Sequence, residues 1–226
     1  MAKPQPTSTK QKSRVHRYCP KLDKMNFVLK CEWASECDQI FSSMDAFMKH
    51  IDEHVNDSAN FECQWRDCDT DCFEDESSFK RHINFHAFHT KLKDIGQKVL
   101  DSLHENQKDC QKTKCNLDDQ TRNDIPELPF KFECSWNCCD YTTDNPELFY
   151  QHIKQLHVDK FELKGTESKC LWSQCQQKIM NKNRLVEHTR HHSQEKLVAC
   201  PNCGALFASF TKFIDHCSRS SSIGSN

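Results

Sequence analysis

Four residues near the C-terminus of this 226-residue chain have the types and the spacing of a metal site. Cys170 and Cys175 form a Cys-x4-Cys motif, and His188 and His192, one helical turn apart, follow after twelve residues. Thiolates and imidazoles are the usual ligands of structural Zn²⁺, and this spacing brings four of them together when a hairpin carries the cysteines and a helix carries the histidines. The motif therefore predicts a zinc site built on one hairpin and one helix.

Three more sets of four ligands and one set of three repeat this pattern along the chain. The other predicted zinc ligands are Cys31, Cys37, His50 and His54; Cys63, Cys68, His82 and His86; Cys134, Cys139, His152 and His157; and Cys200, Cys203 and His216. No second histidine completes the last set, and Cys217 lies about 100° around the helix from its neighbour His216. We therefore expect Zn²⁺ as the cofactor, at four complete sites and at a fifth site with three protein ligands.

Two cysteines compete with members of these sets. Cys72 competes with Cys68, but only nine residues separate Cys72 from His82, which is too few for a strand and a helix. Cys68 is therefore the preferred ligand. Cys139 is preferred over Cys138, because Cys139 gives the Cys-x4-Cys spacing of the second and fourth sets and leaves twelve residues before His152.

A further Cys-x4-Cys motif, Cys110 and Cys115, lies in residues 105–130 without a histidine pair of its own. Aspartates and prolines surround it, and such residues favour turns and loops. We therefore interpret residues 105–130 as a linker and expect no metal or redox role for either cysteine.

The elements that must position the ligands are short hairpins and helices. In each unit one apolar residue ends the hairpin and another lies on the inner face of the helix; these pairs are Phe41 and Phe47, Phe73 and Phe79, Ile179 and Leu185, and Phe207 and Phe213. The third unit has Thr143 at the first of these positions, so we expect it to be less stable than the fourth.

The pattern predicts a small metal-stabilised α+β fold, a tandem array of ββα units with linkers. Units one to five occupy residues 29–56, 61–104 (with an extended helix), 132–158, 168–192 and 198–217, the last being incomplete. Residues 1–28, which are rich in Pro, Ser, Thr and basic side chains, are predicted to be a disordered arm, and residues 218–226 a disordered tail.

Composition supports small metal-stapled units. With 16 Cys, 4 Gly and a mean hydropathy of -0.85, we expect several miniature domains rather than one large core, because units of about 30 residues bury too little apolar surface to fold unaided. No apolar signal segment opens the chain, so a secreted disulfide scaffold is disfavoured and a reducing, intracellular compartment is expected. No run is long and apolar enough to cross a membrane.

Catalysis is not expected from these residues. A structural zinc leaves no open coordination position, and no nucleophile lies beside a base in the sequence pattern. We therefore expect neither an enzyme nor a small-molecule substrate.

Charge is distributed unevenly along the chain, although the net charge is only -2. Residues 57–159 contain 12 Lys and Arg against 21 Asp and Glu, whereas residues 160–226 contain 10 against 5. The C-terminal third is thus expected to attract a polyanion and the middle to repel it.

All four tryptophans occupy the same position in a unit. Trp33, Trp65, Trp136 and Trp172 each lie two residues after the first cysteine, which makes Cys-x-Trp an internal repeat. Each indole either shields the turn between the two cysteines of its own unit, the zinc knuckle, or packs against the indole of the next unit. The second arrangement is that of tandem zinc fingers with a tryptophan between their cysteines, which these units resemble. Only eight residues link units one and two, so we hypothesise a contact between Trp33 and Trp65.

An apolar stripe continues after His86. Its residues recur every three or four positions: Phe88, Leu92, Ile95, Val99 and Leu103. We favour a helix that covers its own unit or a neighbouring one over a helix reserved for a partner protein.

These features resemble C₂H₂ zinc-finger transcription factors, which also use a seven-residue linker such as SQEKLVA between fingers. Four segments, HINFHAFHTKLK (82–93), IPELPFKFEC (125–134), YTTDNPELFYQH (141–152) and SQEKLVACPNCGALFASFTKFIDH (193–216), resemble the histone nuclear factor P family. The resemblance spans nearly the whole chain. That family has further fingers beyond this point, so we expect the N-terminal half of an array or a shortened relative.

The resemblance implies a nuclear RNA polymerase II transcription factor that binds double-stranded DNA at histone H4 gene promoters and acts at the G1/S transition. It also implies contacts with a co-activator and with a methyl-DNA-binding repressor protein. The alternative is a zinc-finger module for protein–protein interaction with little DNA specificity of its own, because fingers one to three are acidic and contain paired tryptophans.

In a docked finger, helix positions -1, 3 and 6 face the bases of the major groove. Counting back from the first histidine, the predicted base contacts are Asn181, Arg184 and Glu187 in finger four and Ser209, Lys212 and Asp215 in finger five. Arg and Lys suit guanine, Asn suits adenine and an acid suits cytosine. The candidate phosphate contacts are Lys178, Lys182, Arg190 and Lys196. Finger two offers Asp75, Ser78 and Arg81, and finger three Asn145, Leu148 and Gln151, which are poorer readers.

Overall fold

The computed structural model describes residues 26–34, 37–70, 72–106, 114–117, 119–163 and 168–222. Along them, a two-residue antiparallel hairpin followed by a helix recurs in fingers one, three, four and five. The bounds are β1 Leu29–Lys30, β2 Ile40–Phe41, α1 Met44–Asp57; β3 Phe132–Glu133, β4 Thr142–Thr143, α3 Pro146–His152; β5 Ser168–Lys169, β6 Lys178–Ile179, α4 Lys182–Ser193; β7 Val198–Ala199, β8 Leu206–Phe207 and α5 Phe210–Ser222. The predicted α+β array of ββα units is confirmed.

Finger two departs from this plan. A single bridge between Glu62 and Cys72 takes the place of a regular hairpin in its described residues. Its helix, α2 (Glu76–Asn106), has 31 residues and is the longest that the structure describes.

The start of each helix is fixed by a capping side chain. In every finger the residue seven positions before the first histidine ligand accepts a hydrogen bond from an amide of the first turn; these residues are Ser43, Asp75, Asn145, Asn181 and Ser209. Asn181 Oδ1, for example, accepts from the Arg184 amide at 2.9 Å. Such a bond satisfies an N–H group that has no partner inside the helix and stabilises the helix by about 1 kcal/mol.

Helix α2 lies between the other fingers and contacts α1, α3 and β7. Near its start, Phe79 and Ile83 are buried in a cluster with the apolar residues of finger one. The stripe predicted after His86 lies further along the helix, and Phe88, Ile95 and Val99 are buried in a second cluster with fingers three, four and five. Residues 81–90 are all buried, so α2 is an internal element over this length.

Gly96 sets how closely α2 approaches finger five. A Cβ atom at this position would lie 2.1 Å from the carbonyl oxygen of Ala199 in β7 and 3.2 Å from the ring of Pro201. A glycine lowers helix propensity by about 1 kcal/mol relative to alanine. Here it allows the backbones of α2 and β7 to pack in direct contact.

The expectation of separate miniature cores is therefore wrong. The apolar residues of the fingers merge into two clusters, and α2 contributes to both. The physical reason is that α2 presents apolar side chains on more than one side, so that its first half completes the core of fingers one and two and its second half the core of fingers three to five.

The segments predicted to be unstructured have different outcomes. The arm, residues 1–28, is described only from residue 26. Helix α5 continues to Ser222, so the first residues of the predicted tail are helical. After Asn106 the described part of the linker contains neither helix nor strand, but Asn123 within it is completely buried. Among the described helices, none combines the length and the apolar character that a membrane crossing requires.

Candidate metal centres and helix surfaces

Five groups of four Cys and His side chains have ligand atoms that all lie within 4.8 Å of one another. The groups are Cys31, Cys37, His50 and His54; Cys63, Cys68, His82 and His86; Cys134, Cys139, His152 and His157; Cys170, Cys175, His188 and His192; and Cys115, Cys200, Cys203 and His216. The first four consist of the ligands predicted for fingers one to four. Thiolates and imidazoles without a carboxylate are the donor set of a closed structural zinc site.

The fifth group corrects the expectation of a site with three protein ligands. Cys115, which was predicted to lie in a loop without a metal role, is 1% exposed and joins the three ligands predicted for finger five. Spacing rules did not find it because Cys115 lies far upstream of finger five in the chain. The one available signal was the solitary Cys-x4-Cys motif in the linker.

The competing cysteines lie outside the groups. Cys72 and Cys138 are exposed, whereas Cys68 and Cys139 belong to the groups of fingers two and three. These placements agree with the preferences drawn from spacing.

A left-handed residue turns the chain just before the second cysteine in the knuckles of fingers two, three and four. Asp67, Cys138 and Gln174 have φ values of 56°, 57° and 59°. In finger three the Cys139 amide donates to the carbonyl oxygen of Trp136 at 2.8 Å, which closes the turn. The two thiols of a knuckle thereby face the same helix.

The helices bring the two histidines of a finger together at different spacings. In finger four, His188 and His192 are four residues apart and their Nε2 atoms are separated by 3.0 Å. In finger three, His152 and His157 are five residues apart, and α3 continues there as a π-helical segment, Ile153–Val158. The wider turn of a π-helix accommodates the additional residue, so their Nε2 atoms are separated by 3.1 Å.

The tryptophans join neighbouring fingers through the main chain. Trp33 and Trp65 form an antiparallel backbone bridge between fingers one and two, and Trp136 and Trp172 form the same bridge between fingers three and four. The hypothesised packing of the Trp33 indole against the Trp65 indole stays a prediction. The indole rings stack on the second histidine of their own finger. The ring centroids of Trp65 and His86, for example, are 4.7 Å apart with an interplanar angle of 4°. The repeat thus both covers each metal group and pairs the fingers.

Burial favours the neutral forms of several side chains in these groups when no cation is present. It raises the pKa of the Cys134 and Cys170 thiols to about 11 and lowers the pKa of His86 to about 4. Neutral imidazole is the form that binds a metal, and the thiols lose their protons when a divalent cation binds. The donor set therefore suits Zn²⁺.

The helix positions of fingers four and five that were predicted to face bases lie on the surface. Arg184 has a side chain that is 69% exposed, and it pairs with Glu187 at 3.3 Å. Lys212 and Asp215 are exposed as well. Asn181 and Ser209 are also helix caps, so their side-chain oxygens already accept a hydrogen bond from their own helix.

The corresponding positions of finger two differ in exposure: Asp75 is exposed, Ser78 is half-buried and Arg81 is buried. Arg81 is only 5% exposed, and its guanidinium donates to Asp144 of finger three at 2.8 Å and to the Ser78 hydroxyl at 3.0 Å. The Ser77 hydroxyl donates to the same Asp144 carboxylate at 2.8 Å. These contacts occupy the Arg81 guanidinium, the one cationic group among the base-facing positions of finger two.

The predicted base-facing positions of finger three are only partly covered by other side chains. Gln151 donates to Glu147 at 2.7 Å, and Glu147 also accepts from Lys91 of α2 at 2.6 Å. Leu148 is 48% exposed. The helix of finger three is thereby tied to α2 along one side.

The candidate phosphate contacts differ in their surroundings. Lys178 is exposed and Lys196 is half-buried. Lys182 Nζ donates to the Asp159 carbonyl oxygen at 2.9 Å. Arg190 pairs with Glu195 at 3.3 Å.

A buried charged network holds finger one, α2 and the linker together. Glu32 accepts from Arg122 at 2.8 Å and lies 3.5 Å from Lys93 Nζ, and Asn123 accepts from Lys93 at 2.5 Å. Burial alone would raise the pKa of Glu32, but the two cations outweigh it and lower this pKa to about 2. No sequence pattern indicated the network, because its members come from three separate segments.

Comparison with known proteins gives one extended similarity. The chain is 36% identical to the histone H4 transcription factor of Homo sapiens over 88% of its own length and 42% of that protein. The corresponding values for Bos taurus are 36%, 88% and 41%. A third of the chain is 35% identical to the pH-response transcription factor pacC/RIM101 of Kluyveromyces lactis, covering 14% of that protein. No family model matches the chain.

These comparisons confirm the resemblance inferred from the sequence. The chain spans about two fifths of the length of the histone H4 transcription factors that it matches.

Proposed function

Because this chain is a tandem array of C₂H₂ zinc fingers and a relative of the histone H4 transcription factors, we propose that it is a nuclear, DNA-binding regulator of transcription. Fingers four and five read the major groove of double-stranded DNA, and fingers one to three are structural or bind protein. The main support for assigning different roles to the two groups of fingers is that Arg184 of finger four is exposed, whereas Arg81 of finger two is buried.

Zinc has a structural role in this proposal. The four C₂H₂ groups of fingers one to four hold one ion each, which neutralises the thiolates and binds the hairpin to the helix. Zinc binding contributes about 10–16 kcal/mol in finger peptides, so folding of the small fingers depends on the ion.

Base recognition in finger four centres on Arg184. Its guanidinium is exposed and suits guanine, and Glu187 beside it can accept from cytosine. The Asn181 oxygen is held by the helix cap, so only its amide nitrogen is available to a base. In finger five, Lys212 and Asp215 have the corresponding roles, and Ser209 is mainly a cap.

Binding to the phosphate backbone of DNA depends on the positively charged C-terminal third of the chain. Residues 160–226 have 10 Lys and Arg against 5 Asp and Glu. Lys178 and Lys196 are assigned to phosphates together with Lys182 and Arg190, whose carboxylate or carbonyl partners a phosphate would have to displace.

Protein binding by finger one is a second candidate function. Its three base-facing positions, Ser43, Ala46 and Lys49, are exposed. The same helix surface contains the exposed acids Asp45 and Asp52, which disfavour DNA and favour a basic protein surface. Action at histone H4 promoters, the G1/S timing, the co-activator and the methyl-DNA-binding repressor rest on the resemblance alone.

The test is the salt dependence of duplex DNA binding by the full chain. Each phosphate contact that is removed lowers the slope of log K against log salt by about 1. We expect the double variant Lys178→Ala/Lys182→Ala to lower the slope by about 2. The control Lys80→Ala, in finger two, should leave the slope unchanged.

Two results contradict the proposal. One is the absence of any salt-dependent binding of the zinc-loaded chain to duplex DNA at concentrations up to about 10⁻⁴ M, the weak end of non-specific affinity. The other is an equal loss from Lys80→Ala, which would move the DNA surface to finger two.

A further inference from the structure

We propose that Cys115 completes a fifth zinc site of composition Cys₃His, which ties the C-terminal finger to the segment between fingers two and three. Its ligands are Cys115, Cys200, Cys203 and His216, whose ligand atoms lie within 4.8 Å of one another. The site is a property of the fold and does not depend on DNA binding.

Cys115 differs from the two exposed thiols, Cys72 and Cys138, that lie outside the metal groups. It is 1% exposed, and the Leu117 amide donates to its Sγ atom at 3.5 Å. Cys72 and Cys138, by contrast, are exposed.

The chain around Cys115 is fastened to the Cys200–Cys203 knuckle by hydrogen bonds. Asn202 Nδ2 donates to the Leu117 carbonyl oxygen at 2.6 Å, and Arg122 Nε donates to the Pro201 carbonyl oxygen at 3.0 Å. The segment that begins at Cys115 is therefore held against the knuckle at two points.

Gly204 makes the close approach of this segment possible. It has a φ of 74°, and a Cβ atom at this position would lie 2.3 Å from the Arg122 carbonyl oxygen. The knuckle of finger five is therefore shaped to receive the linker.

Cys217 is the rival fourth ligand. It is buried, and its side chain is hydrogen-bonded to Cys200. It follows His216 directly on α5, so the two side chains leave the helix about 100° apart. The group of four atoms within 4.8 Å contains Cys115 and not Cys217. A closed Cys₃His set is one of the donor sets of structural zinc.

The site has an architectural consequence. Sites one to four draw all four ligands from one finger, whereas the fifth joins residues that flank fingers three and four in the chain. Zinc binds at this site only when the linker, α2 and finger five have come together. The fifth ion therefore stabilises the arrangement of the whole array and not the fold of one finger.

The experiment is to count zinc ions in the full chain by native mass spectrometry. We expect five ions in the unaltered chain and four in Cys115→Ser. Cys217→Ser and the matched control Cys138→Ser, which replaces an exposed thiol in another knuckle, should each retain five.

Five ions in Cys115→Ser, or four in Cys217→Ser, would overturn the proposal. If Cys115→Ser loses several ions because it fails to fold, thiol alkylation of the unaltered chain decides. Cys115 should be protected with zinc bound and reactive after chelation, while Cys138 should react in both states. Alkylation of Cys115 in the zinc-loaded chain would rule out its role as a ligand.

Discussion

Fingers two and four have the same types of ligand, two cysteines and two histidines, but the helix of finger two is largely buried and the helix of finger four is exposed on its outer face. In finger two, α2 is buried over residues 81–90 and packs against other fingers. In finger four, α4 keeps its base-facing positions on the surface, with Arg184 69% exposed. The ligand spacing therefore determines the fold of a finger but not the surface that its helix presents.

The difference arises from the residues after the second histidine ligand. Beyond His86 the apolar stripe of α2 continues, so the helix is extended and becomes part of two cores. Beyond His192 the chain continues with polar residues, and α4 ends at Ser193, followed by the cap residue Gln194 with a φ of 58°. A helix without an apolar continuation has no second surface to bury, so its outer face stays exposed to solvent.

Zinc removal should produce the largest effect and should separate the two helices. Each site is worth about 10–16 kcal/mol in finger peptides, far more than a small finger gains from its core. We expect α4 to lose amide protection at lower chelator concentrations than α2, because α2 is also held by its apolar stripe. Hydrogen exchange measured by mass spectrometry during stepwise chelation tests this.

Added zinc serves as the control, since it should restore protection in both helices. Simultaneous loss of protection in α2 and α4 would show that the packing around α2 has no stability of its own.

The buried network of Glu32 should have the second largest effect. Glu32→Ala leaves Lys93 and Arg122 without their shared carboxylate, and loss of one partner from a buried ion pair costs about 3–5 kcal/mol. Glu62→Ala removes an exposed acid from the knuckle of finger two and should change stability by less than about 0.5 kcal/mol. Chemical denaturation of the zinc-loaded chain measures both. Equal stabilities of the two variants would mean that the network does not hold α2 in place.

Gly96→Ala should destabilise the chain by up to about 2 kcal/mol, which is the cost of overpacking less the gain in helix propensity. The added Cβ meets the Ala199 carbonyl oxygen, and overpacking costs of about 1–3 kcal/mol exceed the gain in helix propensity of about 1 kcal/mol. Gln97→Ala, at the next and exposed position of α2, is the matched control. The same denaturation measurement applies, and a stabilised Gly96→Ala variant would argue against close contact of α2 with β7.

The repeating parts of this molecule could be predicted from the sequence. The ligands of fingers one to four follow fixed local spacings, and core pairs such as Ile179 and Leu185 lie at fixed positions between them, so each finger is specified within about 30 residues. The apolar stripe of α2 was visible as well, because its periodicity is local.

The parts that were missed depend on residues far apart in the chain. Cys115 joins finger five, and Asn123 meets Glu32 and Lys93, only once α2 has brought these segments together. No periodicity or spacing encodes such contacts. For the same reason composition suggested separate small cores, since it does not reveal that one helix supplies apolar surface to several fingers.

Arg184→Ala should have the smallest effect on the fold, and it tests directly how the helices of fingers two and four differ. Arg184 is 69% exposed, so its loss should change stability by less than about 0.5 kcal/mol but weaken preference at one base position by about 1–3 kcal/mol. Arg81→Ala should do the reverse, because Arg81 is buried and paired with Asp144. Binding of single-base DNA variants by both proteins, beside their denaturation curves, measures this. If Arg184→Ala weakens binding equally on all sequences, Arg184 contacts a phosphate, and the helix of finger four supports the duplex without reading it.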